Sequence, residues 1–161
     1  MKDVYIYTDG ACRGNPGAGG WGTVLVYGPY ERELSGGESE TTNNRMELTA
    51  VIRGLEALKE PCHVTLTSDS KYVVDAFNEG WIYAWREKNW KRGKEEVKNP
   101  DLWARLYELT RLHKVDFVWI KGHNGHPYNE RCDALATAFA DGILREKKES
   151  SATAAAPDSG I

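Results

Sequence analysis

Four acids, Asp9, Glu47, Asp69 and Asp133, are placed where a fold could bring their carboxylates together. Asp9 follows the apolar and aromatic run Val4–Tyr7 and precedes a glycine-rich turn. Asp69 follows a second such run, Val64–Ser68, while Glu47 lies in the first turns of one helical pattern and Asp133 one turn into another. Four carboxylates packed without cations would repel and raise one another's pKa. Hard divalent cations remove that penalty, and an all-oxygen set suits Mg²⁺ or Mn²⁺ better than zinc. Two such ions can activate water and stabilise a leaving oxygen in phosphoryl displacement. Taken singly, Asp9 fits a turn cap equally well, and Glu47 fits an acid complementing a helix dipole. A rival zinc set of His123, His126 and Cys132 lacks a fourth soft ligand.

The elements that must position these acids follow from pattern. Val4–Tyr7 has the composition of a buried strand, and Gly14 to Gly17 force a turn. Trp21–Tyr27 and Glu31–Gly37 continue as strands of an antiparallel meander, with Gly28-Pro29 between them. Thr42 or Asn43 caps a helix whose apolar face is Met46, Ala50, Val51, Gly54, Leu55 and Leu58. Strand–helix–strand order predicts that Val64–Ser68 lies parallel to the first strand, so Asp9 and Asp69 end neighbouring strands at one edge. A helix over Ser70–Glu79, one over Leu102–Leu112 capped by Asp101, a strand Val115–Ile120 and a last helix from about Asn129 to Arg145 complete the pattern. The fold class is α/β: a five-stranded mixed sheet, three antiparallel strands then two parallel, with helices on both faces. His63 and His113 fall at element ends and read as solvated.

The length of 161 residues predicts one domain over residues 1–146, and the tail 147–161 lacks large apolar residues until its last position, so disorder is expected there. Three widely spaced cysteines without a CxxC pair suggest reduced thiols, and no basic-then-apolar leader or long apolar run occurs. A cytoplasmic monomer with no membrane partner is expected. The net charge of -3 is mild, but residues 81–98 carry six Lys and Arg against three Glu. That local excess, with Lys88, Lys91, Arg92 and Lys94 at its centre, suits a phosphate backbone. Its tryptophans Trp81, Trp85 and Trp90 read as core.

The motifs TDGACRGNPG, TTNNRMEL, TSDSKYV and KGHNGHPYNERCDALA, in this order, resemble bacterial type 1 ribonuclease H over residues 2 to about 143. Each motif contains one of the four acids. The resemblance implies hydrolysis of the RNA strand of RNA–DNA hybrids, leaving 5′-phosphate and 3′-hydroxyl ends. It also implies two Mg²⁺ ions, replaceable by Mn²⁺, held by Asp9, Glu47, Asp69 and Asp133, and a proton shuttle at His123. Asn15, Asn44, Cys12 and the Gly10 backbone are implied as sensors of ribose 2′-hydroxyls, and Thr42 and Asn43 as a pocket for a DNA phosphate. Lys71 stands where relatives carry a polar amide that contacts RNA, and Trp81–Lys98 resembles the basic handle that tracks DNA. Asymmetric contacts of this kind tell a hybrid from either homoduplex.

Overall fold

The computed structural model describes residues 1–122 and 124–155; His123 and residues 156–161 lie outside this range. Strand β1 (Lys2–Gly14) turns through Asn15-Pro16 into β2 (Gly17–Tyr27), which turns at Gly28-Pro29 into β3 (Tyr30–Thr41). Helix α1 (Asn43–Glu56) then leads to β4 (Cys62–Ser68), and α2 (Lys71–Asn78) and α3 (Trp81–Glu87) follow. A two-residue hairpin, β5 (Lys91–Arg92) and β6 (Glu95–Glu96), precedes α4 (Pro100–Leu112), β7 (Lys114–Trp119) and α5 (Pro127–Ala155). The main sheet has the order β3-β2-β1-β4-β7, antiparallel across the first three strands and parallel from β1 to β7.

Alternation along β2 explains how two layers of helix cover this sheet. Gly20 and Gly22 lie under α5, where an added Cβ would come within 2.1 Å of the Ala136 carbonyl oxygen and 2.4 Å of that of Cys132. Thr23, on the other face, donates to the Ala50 carbonyl of α1 at 2.7 Å. The main core lies on this α1 face, where Ile6, Leu48, Val51, Leu55, Val64, Leu66, Trp103 and Leu106 are buried together. Thr42 caps α1, accepting the Arg45 N–H.

Several boundaries differ from those expected. Strand β1 does not stop at Asp9: its parallel ladder with β4 ends at Thr8–Ser68, but its pairing with β2 continues to Gly14–Gly17 and keeps Asp9 and Gly10 extended. Helix α4 begins at Pro100, a residue favoured in the first helical turn, with a left-handed Asn99 before it whose side chain makes no capping bond. Asp101 instead forms a two-pronged pair with Arg45 at 3.1 and 2.8 Å, tying α4 to α1. Helix α5 continues past Lys147 to Ala155, where disorder was expected. Its alanines, lysines and glutamate are good helix formers, and extending an anchored helix avoids the cost of nucleation. Lys147 also donates to the Ser39 carbonyl.

Neither histidine expected to be merely solvated is idle. His113 accepts the Cys62 N–H at Nδ1, 3.1 Å away, and burial lowers its pKa. The His63 ring lies between Asp3 and Asp116, with nitrogen–oxygen distances of 2.9 and 2.7 Å, and so spans β1, β4 and β7. Hydrogen bonds to Asp116 and then Asp3 raise its pKa, against desolvation and, after it, the charge of Lys114. A raised folded-state value means that the stabilisation is full below the ordinary value of about 6.5 and is lost as pH rises through the raised one. The melting-temperature difference between wild type and His63→Ala is therefore expected to be larger near about pH 5.5 than near about pH 9. An equal difference at both pH values would contradict this latch.

Candidate active site

Asp9, Glu47 and Asp69 offer carboxylate oxygens that all lie within 4.8 Å of one another. Each comes from a different element. Asp9 sits in β1 opposite Gly22 of β2 and accepts its neighbour Gly10's N–H at 2.9 Å. Gly10 is required here because an added Cβ would meet the Glu47 backbone nitrogen at 2.5 Å. That close approach of α1 to β1 puts Glu47, itself buried, beside Asp9. Asp69 follows β4, whose register with β1 aligns Thr8 with Ser68 and so brings the two aspartates side by side. Asp133 lies outside the trio, half-buried on α5.

Burial, and after it the charge of Asp69, pushes the Asp9 pKa up to about 8, with Asp133 adding a smaller push. Burial and the charge of Asp9 raise Glu47 well above the usual carboxylate range. Glu47 Oε2 is buried without a hydrogen-bond partner. A buried polar atom left unpaired is costly. An oxygen-only donor set with one orphaned oxygen and mutually repelling acids fits a hard divalent cation. Among the described residues this trio is the one group so arranged.

Of the rival zinc set, His126 and Cys132 lie among the described residues, and both have other partners. His126 accepts the Asn129 N–H and packs beside Tyr7, while the Cys132 thiol donates to the Tyr7 carbonyl at 3.2 Å. Burial pushes that thiol up to about 12, far from the thiolate zinc requires. His123, the expected shuttle, is outside the described residues.

Other expected contact residues surround the trio. Asn15, in the β1–β2 turn, accepts the Asn43 N–H at 2.9 Å and joins that turn to the start of α1. Asn15, Thr42, Asn43 and Asn44 line one cleft together with Lys98 and Asn99. The Cys12 thiol is half-buried and donates towards the Thr41 carbonyl at 3.3 Å. Lys71 opens α2, and its ammonium lies over the Trp119 ring. Beyond α3, Lys88, Lys91, Arg92 and Lys94 are all exposed on the small hairpin and its turns. Ile82 and Val97 anchor this segment in the core. Trp85 and Trp90 are partly buried against the same core, but Trp81 is 47% exposed and is not a core residue. It stands at the first helical position of α3 after the left-handed Gly80, and with Tyr72, Trp85 and Arg92 it lines a second cleft.

Sequence reasoning missed the supports of the trio: Gly10, the Arg45–Asp101 tie and Trp119, whose indole N–H donates to the Asp69 carbonyl. A glycine directly after an acid in an extended run is a readable signal of close approach; the two long-range partners leave none in the chain.

The family model of RNase H matches residues 1–141. The chain belongs to the RNase H family. Accordingly it is an endoribonuclease. Ribonuclease H of Novosphingobium aromaticivorans is 59% identical over 141 residues, which cover 87% of this chain and 98% of that one. The crystal structure of LC9-RNase H1, described as a type 1 RNase H with the type 2 active-site motif, superposes with a TM-score of 0.81 at 32% identity. That match covers 89% of this chain and 74% of that chain. LC11-RNase H1, solved in complex with an RNA/DNA hybrid, gives a TM-score of 0.67 at 27% identity, covering 88% and 99%. The five-stranded sheet described above is thus the RNase H fold. No helix among the described residues is long and apolar enough to cross a membrane.

Proposed function

We propose that this RNase H family member cuts the RNA strand of RNA–DNA hybrids at the Asp9–Glu47–Asp69 cluster, with residues 1–146 as its catalytic domain. The observation that carries this reading is three carboxylates within 4.8 Å, one of them with an orphaned buried oxygen. The hybrid bound by LC11-RNase H1 supports the substrate. Asp9, Glu47 and Asp69, with Asp133 at the rim, would hold two Mg²⁺ ions, for which Mn²⁺ can substitute. Bound there, such ions supply an activated water and neutralise charge at the leaving 3′-oxygen.

The chain's own residues do the rest. Asp9 and Glu47 must release the protons that burial favours before they can serve as ligands. Asn15, Asn44, Cys12 and the Gly10 backbone face the RNA strand and read its 2′-hydroxyls. Thr42 and Asn43, at the start of α1, hold a DNA phosphate; a helix N-terminus favours anions, and the Thr42 hydroxyl keeps its proton free to donate. The exposed cations Lys88, Lys91, Arg92 and Lys94, together with Trp81, follow the DNA backbone, and Lys71 contacts the RNA strand. His123, beyond the described residues, serves as proton shuttle after cleavage. The protein acts as a cytoplasmic monomer.

The test is a labelled hybrid incubated with the protein and Mg²⁺. RNA fragments with 5′-phosphate and 3′-hydroxyl ends, which an RNA ligase rejoins without further treatment, are expected. Intact RNA, or fragments with 3′-phosphate ends, would overturn the reading.

A further inference from the structure

Of the three clustered carboxylates, Asp69 has the thinnest support from its own element. Asp9 is held within the β1–β2 ladder, and Glu47 is buried on α1, whereas Asp69 is half-buried and follows the last residue of β4. Its backbone is pinned by neighbours instead. The Ile120 N–H donates to the Ser68 carbonyl at 3.0 Å, and the Ser70 N–H donates to Ser68 Oγ at 3.0 Å. The Trp119 indole N–H donates to the carbonyl of Asp69 itself at 3.1 Å. Gly122 lies against the carboxylate, since an added Cβ would stand 2.8 Å from Asp69 Oδ2. Among these contacts only the indole bond comes from a side chain of another strand.

The ring that makes this bond is unusually placed. Trp119 is 41% exposed, at the end of β7, yet it is held from both sides of the turn that carries Asp69. Its indole N–H binds the Asp69 carbonyl, while the Lys71 ammonium lies 4.6 Å from the ring centroid, two residues further along. A cation over an indole face is attracted to it. The ring is therefore fixed in the orientation that aims its N–H at the Asp69 peptide.

We propose that Trp119 is a positioning residue for Asp69. By fixing the peptide that follows the carboxylate, it fixes the direction from which Asp69 faces Asp9 and Glu47. Ligands must be held within about half an ångström for a cation site to keep its affinity, and groups that orient ligands are worth about 10- to 100-fold in that affinity. The inference rests on Asp69 being a cation ligand.

Trp119→Phe keeps a ring beneath Lys71 and removes the N–H. The Mg²⁺ concentration giving half of the cation-induced rise in melting temperature is expected to increase about 10-fold. At limiting Mg²⁺ kcat should fall, recovering at saturating Mg²⁺, with KM for hybrid unchanged. Val118→Ala, on the opposite face of β7, should leave the Mg²⁺ midpoint alone. If Trp119→Phe fails to fold, a benzothiophene analogue of tryptophan at position 119 removes only the N–H and should give the same shift. An unchanged midpoint would overturn the proposal; so would a raised KM at unchanged midpoint, which would make Trp119 a stacking surface for nucleic acid. Asp69→Asn separates the two levels. If it keeps the full Mg²⁺ response, the cation reading itself fails. If it loses the response while Trp119→Phe keeps it, only the positioning role fails.

Discussion

Replacing Asp9 by Asn is expected to lower kcat on hybrid by about 1,000-fold or more, equivalent to about 4 kcal/mol of transition-state stabilisation. Ionisation of Asp9 is opposed by burial and then by the charge of Asp69, with a smaller push from Asp133, so its carboxylate depends on a cation. Hybrid binding should stay within about threefold of wild type, because contacts to the strand backbones supply the affinity. The same variant should be more stable than wild type in EDTA. An acid whose folded-state pKa is raised keeps its stability below the unfolded value near 3.8 and loses it as pH rises through about 8. The uncharged amide of Asp9→Asn carries no such penalty. Near pH 8 the variant's gain should be at least about 1.4 kcal/mol, the equivalent of a tenfold change in a protonation constant. The gain should shrink towards pH 4. Melting in EDTA across this range checks the sign, and a variant less stable at every pH would contradict it.

The second large effect concerns the substrate. A duplex of DNA alone, or a hybrid whose RNA strand is 2′-O-methylated, should be cut about 10,000-fold more slowly than an unmodified hybrid. Sites built to hydrogen-bond a hydroxyl reject analogues lacking it on that scale, because the polar groups are left unpaired. The turn that carries Asn15 is tied to the start of α1, next to Asn44, so the expected sensors are held together. Comparable cutting of either substrate would rule out the 2′-hydroxyl contacts.

How far the sequence shows this site depends on whether each contact is local. Thr42 as a helix cap and the parallel register of β1 and β4 both follow from short-range pattern, and that register alone brings Asp9 and Asp69 together. The course of β1 beyond Asp9 was hidden because a neighbouring strand, β2, keeps the chain extended through the glycines. Helix α5 runs on past Arg145 because an anchored helix propagates through residues of good propensity, although nothing there is apolar enough to suggest packing. Exposure of Trp81 reflects where α3 begins, and no pattern in the Trp81–Lys98 stretch reveals that. His63 and Trp119 gain their partners from other elements across 50 or more residues. Their roles are properties of the assembled sheet.

Burial and mutual repulsion favour the protonated forms of Asp9 and Glu47 until a divalent cation binds between them and Asp69; the proposed chemistry depends on this. Calorimetric titration of the protein with Mg²⁺ near about pH 7, repeated in two buffers of different ionisation enthalpy, tests it directly. Wild type should show saturable binding with net proton release, and Asp9→Asn should lose both the binding and the release. Binding without proton release, or an identical titration of Asp9→Asn, would contradict it.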